Sequence, residues 1–287
     1  MMSRHWLSSV VVAGVGLTLA PAGPPSPPAL ATATAVPAAG RFADWDGRDP
    51  IPFLAACRDK VHAELRGFRA TLHKQERILG ELHPPEVVAV AVRTEPYAAR
   101  FVWRSGARLV LGTPVEGIIY PAAANDARVV AWRPTASLLR TLYVAPTDGQ
   151  ARAAARFSVA EAGLTHAADR TLKAWSAADR RGGLVYDYRG RRTCPAVGGR
   201  LCHVLHRTCD PPEVDSFLLA DPRPSPAERP ADAVADVTIW IDVDTGVQFG
   251  TEVRRADGEM VGSYFFRDVE CNPAFGPAEF TAAGFGR

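Results

Sequence analysis

The sequence of 287 residues has no excess of charge of either sign. Its 33 Lys and Arg residues face 31 Asp and Glu residues, which gives a formal net charge of +2. A nucleic-acid-binding domain usually carries a basic patch or stripe, and no long basic run is present here. The composition therefore indicates no nucleic-acid partner.

Recognisable catalytic signatures are also lacking. The sequence has no G-x-S-x-G, no H-E-x-x-H, no Gly-rich phosphate loop and no C-x-x-C-H haem site. We therefore predict a protein that is not an enzyme, with no catalytic residues and no cofactor. A hydrolase-like enzyme using Asp242, Asp244 and Glu252, or a free thiol, is the weaker alternative. Carboxylates beside a D-T-G turn are usually solvated turn formers.

Long apolar runs are absent except near the N-terminus. Arg4 precedes an apolar run from Trp6 to Ala20, which is shorter than the roughly 20 residues of a membrane-spanning helix. Ala29-Leu30-Ala31 then offers a small-x-small cleavage site. The pattern predicts a signal peptide over residues 1–31 and export to the periplasm or cell envelope, with an uncleaved N-terminal anchor as the alternative.

The remaining chain divides into a linker and one domain. Residues 32–48 are rich in Pro and Ala and show no apolar period, which predicts a flexible segment. We expect residues 49–287 to form a single domain, because about 240 residues suit one large hydrophobic core. A first helix is expected from Asp49-Pro50 to about Leu65.

Most of the domain has the period of two that is typical of strands. The final three strand-like segments are joined by tight hairpin signals and predict an antiparallel meander. One amphipathic helix is predicted over residues 158–180, with Ser158 and Glu161 forming a capping box. Six prolines between Asp210 and Ala233 predict a long loop over the surface or over a cavity mouth.

The stretch GRLCHVLHRTC concentrates two cysteines and two histidines. On a strand, Cys202 and His206 would face one side and His203 and Cys209 the other, whereas a tetrahedral metal site needs converging ligands. We therefore predict no metal site. In an oxidising compartment cysteines form disulfides, and an odd number leaves at least one unpaired. The pairing stays open among Cys57, Cys194, Cys202, Cys209 and Cys271.

Several segments together resemble an uncharacterised family of exported bacterial proteins. They cover most of residues 51–280 and are HKQERILGELHPPEVVAVAVRTEPYAARFVW, ARFSVAEAGL, YRGRRTCPAVGGRLCHVLHRTC and WIDVDTGVQFGTEVRRADGEMVGSYFFRDVECNPAF. Their organisation is similar to that of the LolA/LolB-like outer-membrane lipoprotein carriers. The resemblance implies an α+β fold, in which helices pack on the concave side of a strongly curved, unclosed antiparallel β-sheet, a half-barrel.

The same resemblance implies a non-enzymatic carrier or binding protein for a lipid, lipoprotein or other hydrophobic ligand. Its partner would be an acyl chain, with transient contact with a membrane. The candidate ligand-binding residues are Phe101, Trp103, Trp132, Trp240, Tyr264 and Phe266. The alternative is a structural or interaction module of the cell envelope, in which these aromatic side chains fill the core. The oligomeric state is not predicted.

Overall fold

The computed structural model describes residues 42–107, 109–110, 113–121, 128–136 and 138–285. The predicted signal peptide and most of the predicted flexible segment lie outside these residues. The helices are α1 (Pro50–Glu64), α2 (Gly149–Ala154) and α3 (Leu164–Arg180). Within the described part of the chain, none of the helices has both the length and the hydropathy of a membrane span.

Fourteen strands are described. They are β1 (Gly67–Ile78), β2 (Glu81–Leu82), β3 (Glu86–Arg93), β4 (Ala98–Ser105), β5 (Leu109–Val110), β6 (Thr113–Pro114), β7 (Gly117–Pro121), β8 (Val129–Trp132), β9 (Thr141–Val144), β10 (Val185–Cys194), β11 (Arg200–Glu213), β12 (Val234–Asp242), β13 (Gln248–Arg254) and β14 (Met260–Cys271).

Twelve of these strands form one antiparallel sheet. Its order is β10-β11-β12-β13-β14-β1-β3-β4-β7-β8-β9, with β2 paired to β1, while β5 and β6 pair with each other. Among the described residues no pairing joins β9 to β10, so the sheet is unclosed. The predicted fold class, a curved and unclosed antiparallel sheet with helices, is confirmed, and so is the meander of β12, β13 and β14.

Helices α1 and α3 pack against each other and against one face of the sheet. Phe53 and Leu54 of α1 and Trp175 of α3 are buried in a cluster with Leu205, Ile239 and Ile241 of β11 and β12. A second buried cluster joins Val61, Leu65 and Leu164 to Phe68, Val88 and Val92 of β1 and β3. Because these apolar side chains alternate along their strands, they all reach the helix-covered face.

Helix α3 begins at Leu164 and not after Ser158, so the predicted capping box is wrong. The Ser158 side chain accepts a hydrogen bond from the backbone N–H of Ala160, but this caps only a single 3-10 turn. Gly163 then takes a φ of 108°, a conformation that L-residues with a Cβ rarely adopt, and it separates that turn from α3. Glu161 instead pairs with Arg170, 2.6 Å away.

The opposite face of the sheet is covered by the C-terminal residues. Phe280 and Phe285 are buried against Ile119 and Val130 of β7 and β8, and Phe275 packs beside them. The sheet therefore has a cover on both faces, made of helices on one and of an irregular segment on the other.

The packing of α1 on the sheet predicts a large loss of stability when Leu54 is truncated. Leu54 is 4% exposed, and Leu54→Ala should lower the free energy of unfolding by about 2–5 kcal/mol because it leaves a cavity. Urea denaturation measures this difference. The matched control is Leu138→Ala, where the side chain is 80% exposed and the change should stay within about 0.5 kcal/mol. Equal effects of the two variants would contradict the described docking of α1.

Candidate functional site

A cavity of about 340 Å³ lies between the sheet and α3. One row of directly paired residues crosses five neighbouring strands and forms part of its floor. The row consists of Val90, Phe101, Ile118, Ala131 and Leu142, and all five residues line the cavity. Since directly paired residues of an antiparallel sheet point to the same face, the strand register itself produces this apolar surface.

Four of the six candidate ligand-binding residues line this cavity: Phe101, Trp103, Tyr264 and Phe266. Phe101 and Trp103 belong to β4 and Tyr264 and Phe266 to β14. Two strands, β1 and β3, lie between them in the sheet. The structure thus brings together aromatic residues that are about 160 positions apart in the sequence.

Trp132 and Trp240 lie on the opposite face, so the expectation that all six share one surface is wrong for these two. Trp132 follows Ala131, which faces the cavity, and it stacks on Phe285 at 5.3 Å between ring centroids. Trp240 contacts Phe265 at 5.2 Å, and Phe265 lies between two cavity-lining residues of β14. Alternation along each strand therefore turns both indoles away from the cavity.

Charged and polar side chains are buried at one side of the cavity. Lys74 Nζ lies 2.8 Å from a carboxylate oxygen of Glu76 and 3.3 Å from one of Glu86. Tyr264 donates to Glu76 at 2.9 Å, and Trp103 Nε1 donates to Glu86 at 2.6 Å. Burial raises the pKa of Tyr264 well above its usual value, and the adjacent Glu76 carboxylate acts in the same direction. The phenol therefore remains a hydrogen-bond donor.

Residues 215–219 form part of the cavity wall opposite the sheet, together with α2 and α3. Arg170 of α3 donates to the carbonyl oxygens of Ser216 and Phe217 at 3.1 and 3.3 Å. The backbone N–H of Leu219 donates to Glu161 at 2.6 Å. The Glu161–Arg170 pair thus holds the start of the predicted Pro-rich loop over the cavity.

Three arginines surround the carboxylate of Glu213, a group that the sequence analysis missed. Arg181 and Arg207 approach one oxygen at 2.5 and 2.7 Å, and Arg223 approaches the other at 2.5 Å. Burial acts to raise the pKa of Glu213, but the guanidinium groups of Arg207 and Arg223 outweigh it and hold the pKa below its usual value. The sequence signal for this group was Arg207, a charged residue on the face of β11 that also carries Leu205 and Cys209.

The Cys/His stretch lies on β11, and its side chains split between the two faces as predicted. His203 is fully buried, with its ring nitrogens 2.6 Å from the carbonyl oxygen of Phe42 and 2.8 Å from the Tyr188 hydroxyl. His206 contacts Thr238 and Asp236 on the other face. In the described residues no group of three or more His, Cys, Asp or Glu side chains could hold a metal ion.

The predicted disulfides are not formed. All five cysteines are free, and four of them are buried. Cys57 packs between α1 and the sheet, whereas Cys209 lies in a separate cluster with Val234 and Val261. Burial raises the pKa of both Cys202 and Cys209 to about 12. These two thiols are therefore protonated packing groups. Cys57, Cys202 and Cys209 lie in three different clusters, which opposes pairing among them, whereas Cys194 shares the cluster of Cys202 without forming a disulfide.

The acidic group considered as an enzyme site is not assembled. The Asp242 carboxylate accepts hydrogen bonds from the backbone N–H groups of Asp244 and Thr245 and from the Thr245 hydroxyl. It therefore closes the turn between β12 and β13. Glu252 lies opposite Thr238, four residues along β12 from Asp242, and pairs with Arg254.

The family model described as "Protein of unknown function (DUF1571)" matches residues 65–220, more than half of the sequence, and the chain belongs to this family. The resemblance to an uncharacterised family is thus confirmed. A search of functionally curated proteins found no match.

Several solved structures are similar to the chain at low identity. LprF from Mycobacterium bovis is 13% identical with a TM-score of 0.46, covering 79% of this chain and 95% of LprF. The Mycobacterium tuberculosis lipoprotein LppX is 13% identical with a TM-score of 0.40, covering 79% and 98%. MucB in the Pseudomonas aeruginosa MucA/MucB complex is 14% identical with a TM-score of 0.41, covering 82% of this chain. The chain spans 61% of that MucB structure.

The Glu213 group predicts a pH-dependent contribution to stability. Because its folded-state pKa is lowered, the ionised carboxylate stabilises the fold above the unfolded-state pKa of about 4.3. This contribution is lost as the pH falls through the folded-state pKa. Glu213→Gln should lower the free energy of unfolding by about 2 kcal/mol at neutral pH, and by progressively less on acidification.

Chemical denaturation at a series of pH values measures this difference. Glu252→Gln is the matched control, because its partner Arg254 is 41% exposed, and such pairs contribute at most about 1 kcal/mol. A Glu213→Gln difference that does not change with pH would show that the carboxylate charge is not responsible.

Proposed function

We propose that the protein is a non-enzymatic carrier or binding protein that buries the hydrophobic part of a lipid, lipoprotein or other apolar ligand. The observation that carries the proposal is the apolar row from Val90 to Leu142, which faces a cavity of about 340 Å³. Protein interiors normally pack with few voids larger than a water molecule. A volume in the range of about 300–1,000 Å³ is typical of ligand pockets.

The energetics of burial support the same ligand class. Each buried CH₂ group contributes about 0.8 kcal/mol, so a short length of acyl chain suffices for measurable binding. Residues 215–219 would provide a route of entry, because they belong to no strand. They are held at α3 and the segment before it by contacts with Arg170, Lys173, Glu161 and Ser158. Movement of this segment away from α3 would open the cavity without breaking any strand pairing of the sheet.

A cavity-filling substitution on α3 tests the proposal. The probe is N-phenyl-1-naphthylamine, an uncharged dye that becomes fluorescent in apolar sites. We expect saturable binding to the wild-type protein and at least about tenfold weaker binding to Ala167→Phe, because Ala167 lines the cavity and added atoms exclude the probe. The matched control is Ala177→Phe on the same helix, which is half-buried and does not line the cavity.

Native mass spectrometry of the purified protein identifies a co-purified ligand in the same samples. An adduct of lipid mass on the wild-type protein and on Ala177→Phe, but not on Ala167→Phe, would support the proposal. Absence of dye binding and of any adduct on the wild-type protein would instead favour the structural module with a filled core.

We also propose that the protein is exported to the periplasm or cell envelope, on the basis of the N-terminal sequence pattern. Cleavage after Ala31 would leave Thr32 as the first residue. The intact mass of the protein recovered from an exporting host should match that mature chain. A mass that includes residues 1–31 would favour the uncleaved anchor.

A further inference from the structure

The wall of the cavity near β11 carries more positive than negative charge. Arg207, Glu213 and Arg223 all line the cavity, and Arg181 reaches the same carboxylate from the end of α3. Three guanidinium groups therefore face a single carboxylate, which leaves two positive charges in excess. Glu213 stays ionised at neutral pH because its pKa is lowered. The excess of two positive charges therefore already includes the negative charge of this carboxylate.

Arg207 is the part of this group that is hardest to explain as a structural feature. Its side chain is only 3% exposed, and burying a guanidinium is costly unless its donors are hydrogen-bonded. Its Nη2 donates to Glu213, but its Nε is buried and has no hydrogen-bond partner among the described residues. A cavity-lining guanidinium whose one carboxylate partner is shared with two other arginines is suited to an anionic acceptor from outside the chain.

A second polar group at the cavity differs in charge from the Glu213 group. There, Lys74 lies beside two carboxylates, those of Glu76 and Glu86. An anion placed there would lie beside the Glu76 carboxylate, which lines the cavity, whereas an anion placed near β11 would meet the excess of arginine. The β11 group is therefore the one suited to the anionic end of an amphiphilic ligand.

We infer that the ligand is an anionic amphiphile, whose carboxylate or phosphate group binds at Arg207 and Arg223 while its apolar chain occupies the cavity floor. This inference rests on the proposed function and specifies its ligand class. The headgroup would accept hydrogen bonds from both guanidinium groups, which bind carboxylate and phosphate oxygens in a planar, directional geometry.

Displacement of N-phenyl-1-naphthylamine by dodecanoate and by dodecanol tests the inference, because the two competitors differ only in the headgroup. For the wild-type protein we expect dodecanoate to compete at about tenfold lower concentration than dodecanol. Arg223→Gln should weaken competition by dodecanoate about tenfold and leave that by dodecanol unchanged. Arg207→Gln should have the larger effect, and Arg223, which is 27% exposed, keeps the test valid if Arg207→Gln does not fold.

The control is Arg180→Gln, which removes an exposed charge at the end of α3 and should change neither competitor. Equal competition by dodecanoate and dodecanol in the wild-type protein would overturn the inference while leaving the proposed function intact. So would an equal loss of both competitors in Arg223→Gln. Inorganic phosphate that binds as tightly as dodecanoate in calorimetry would assign the arginines to a free anion and overturn the amphiphile. Failure of the dye to bind the wild-type protein, together with the absence of any lipid adduct, would overturn the proposed function itself.

Discussion

The structure depends on the need to cover one face of a wide sheet with few helices. Eleven strands lie side by side in the main path of the sheet. At a spacing of about 4.8 Å they extend over about 50 Å, whereas one helix with its side chains is about 10 Å across. Helices α1 and α3 cover the strands on which Leu205, Ile239 and Val92 lie. The cavity lies beside α3 and extends along β4, β7, β8 and β9, where the short α2 and irregular segments complete its wall.

The buried charges follow from the same arrangement. Charged side chains that are buried beside the cavity must pair with one another, since a buried charge without a partner is strongly unfavourable. Lys74 with Glu76, and Arg170 with Glu161, meet this condition within the chain. The group at Glu213 meets it only in part, because the arginines outnumber the carboxylate. The charge of the cavity is therefore uneven, and under the proposed function it would set the orientation of an anionic amphiphile.

Much of the fold could be predicted from the sequence because strand alternation and hairpin turns are local signals. Alternation placed Phe101 with Trp103, and separated His203 from His206, as the structure has them. Alternation within one strand could not predict the register between neighbouring strands. The register between β12 and β13 shifts after Trp240, and such an irregularity changes which residues of neighbouring strands share a face. For this reason the face of the sheet on which Trp240 lies could not be predicted from its own strand alone.

The parts of the site that were missed depend on contacts between distant segments. Arg223 and Glu213 meet across a loop whose path has no periodic signal, and Arg181 joins them from the end of a helix. The start of α3 was misplaced because Gly163 has a positive φ that the local pattern did not reveal. The cysteines were misjudged because pairing requires proximity in three dimensions, which composition and compartment do not determine.

An unclosed sheet leaves two edge strands whose outer backbone groups could recruit a strand from another molecule, and the two edges differ in how they resist this. The outer strand β10 is long, but its exposed positions include Asp187, Arg189, Arg191 and Arg192, and charged side chains of this kind disfavour intermolecular pairing. The other edge, β9, has only four residues, too few for a stable added strand. The sheet can thus remain unclosed without its edge strands becoming a template for aggregation.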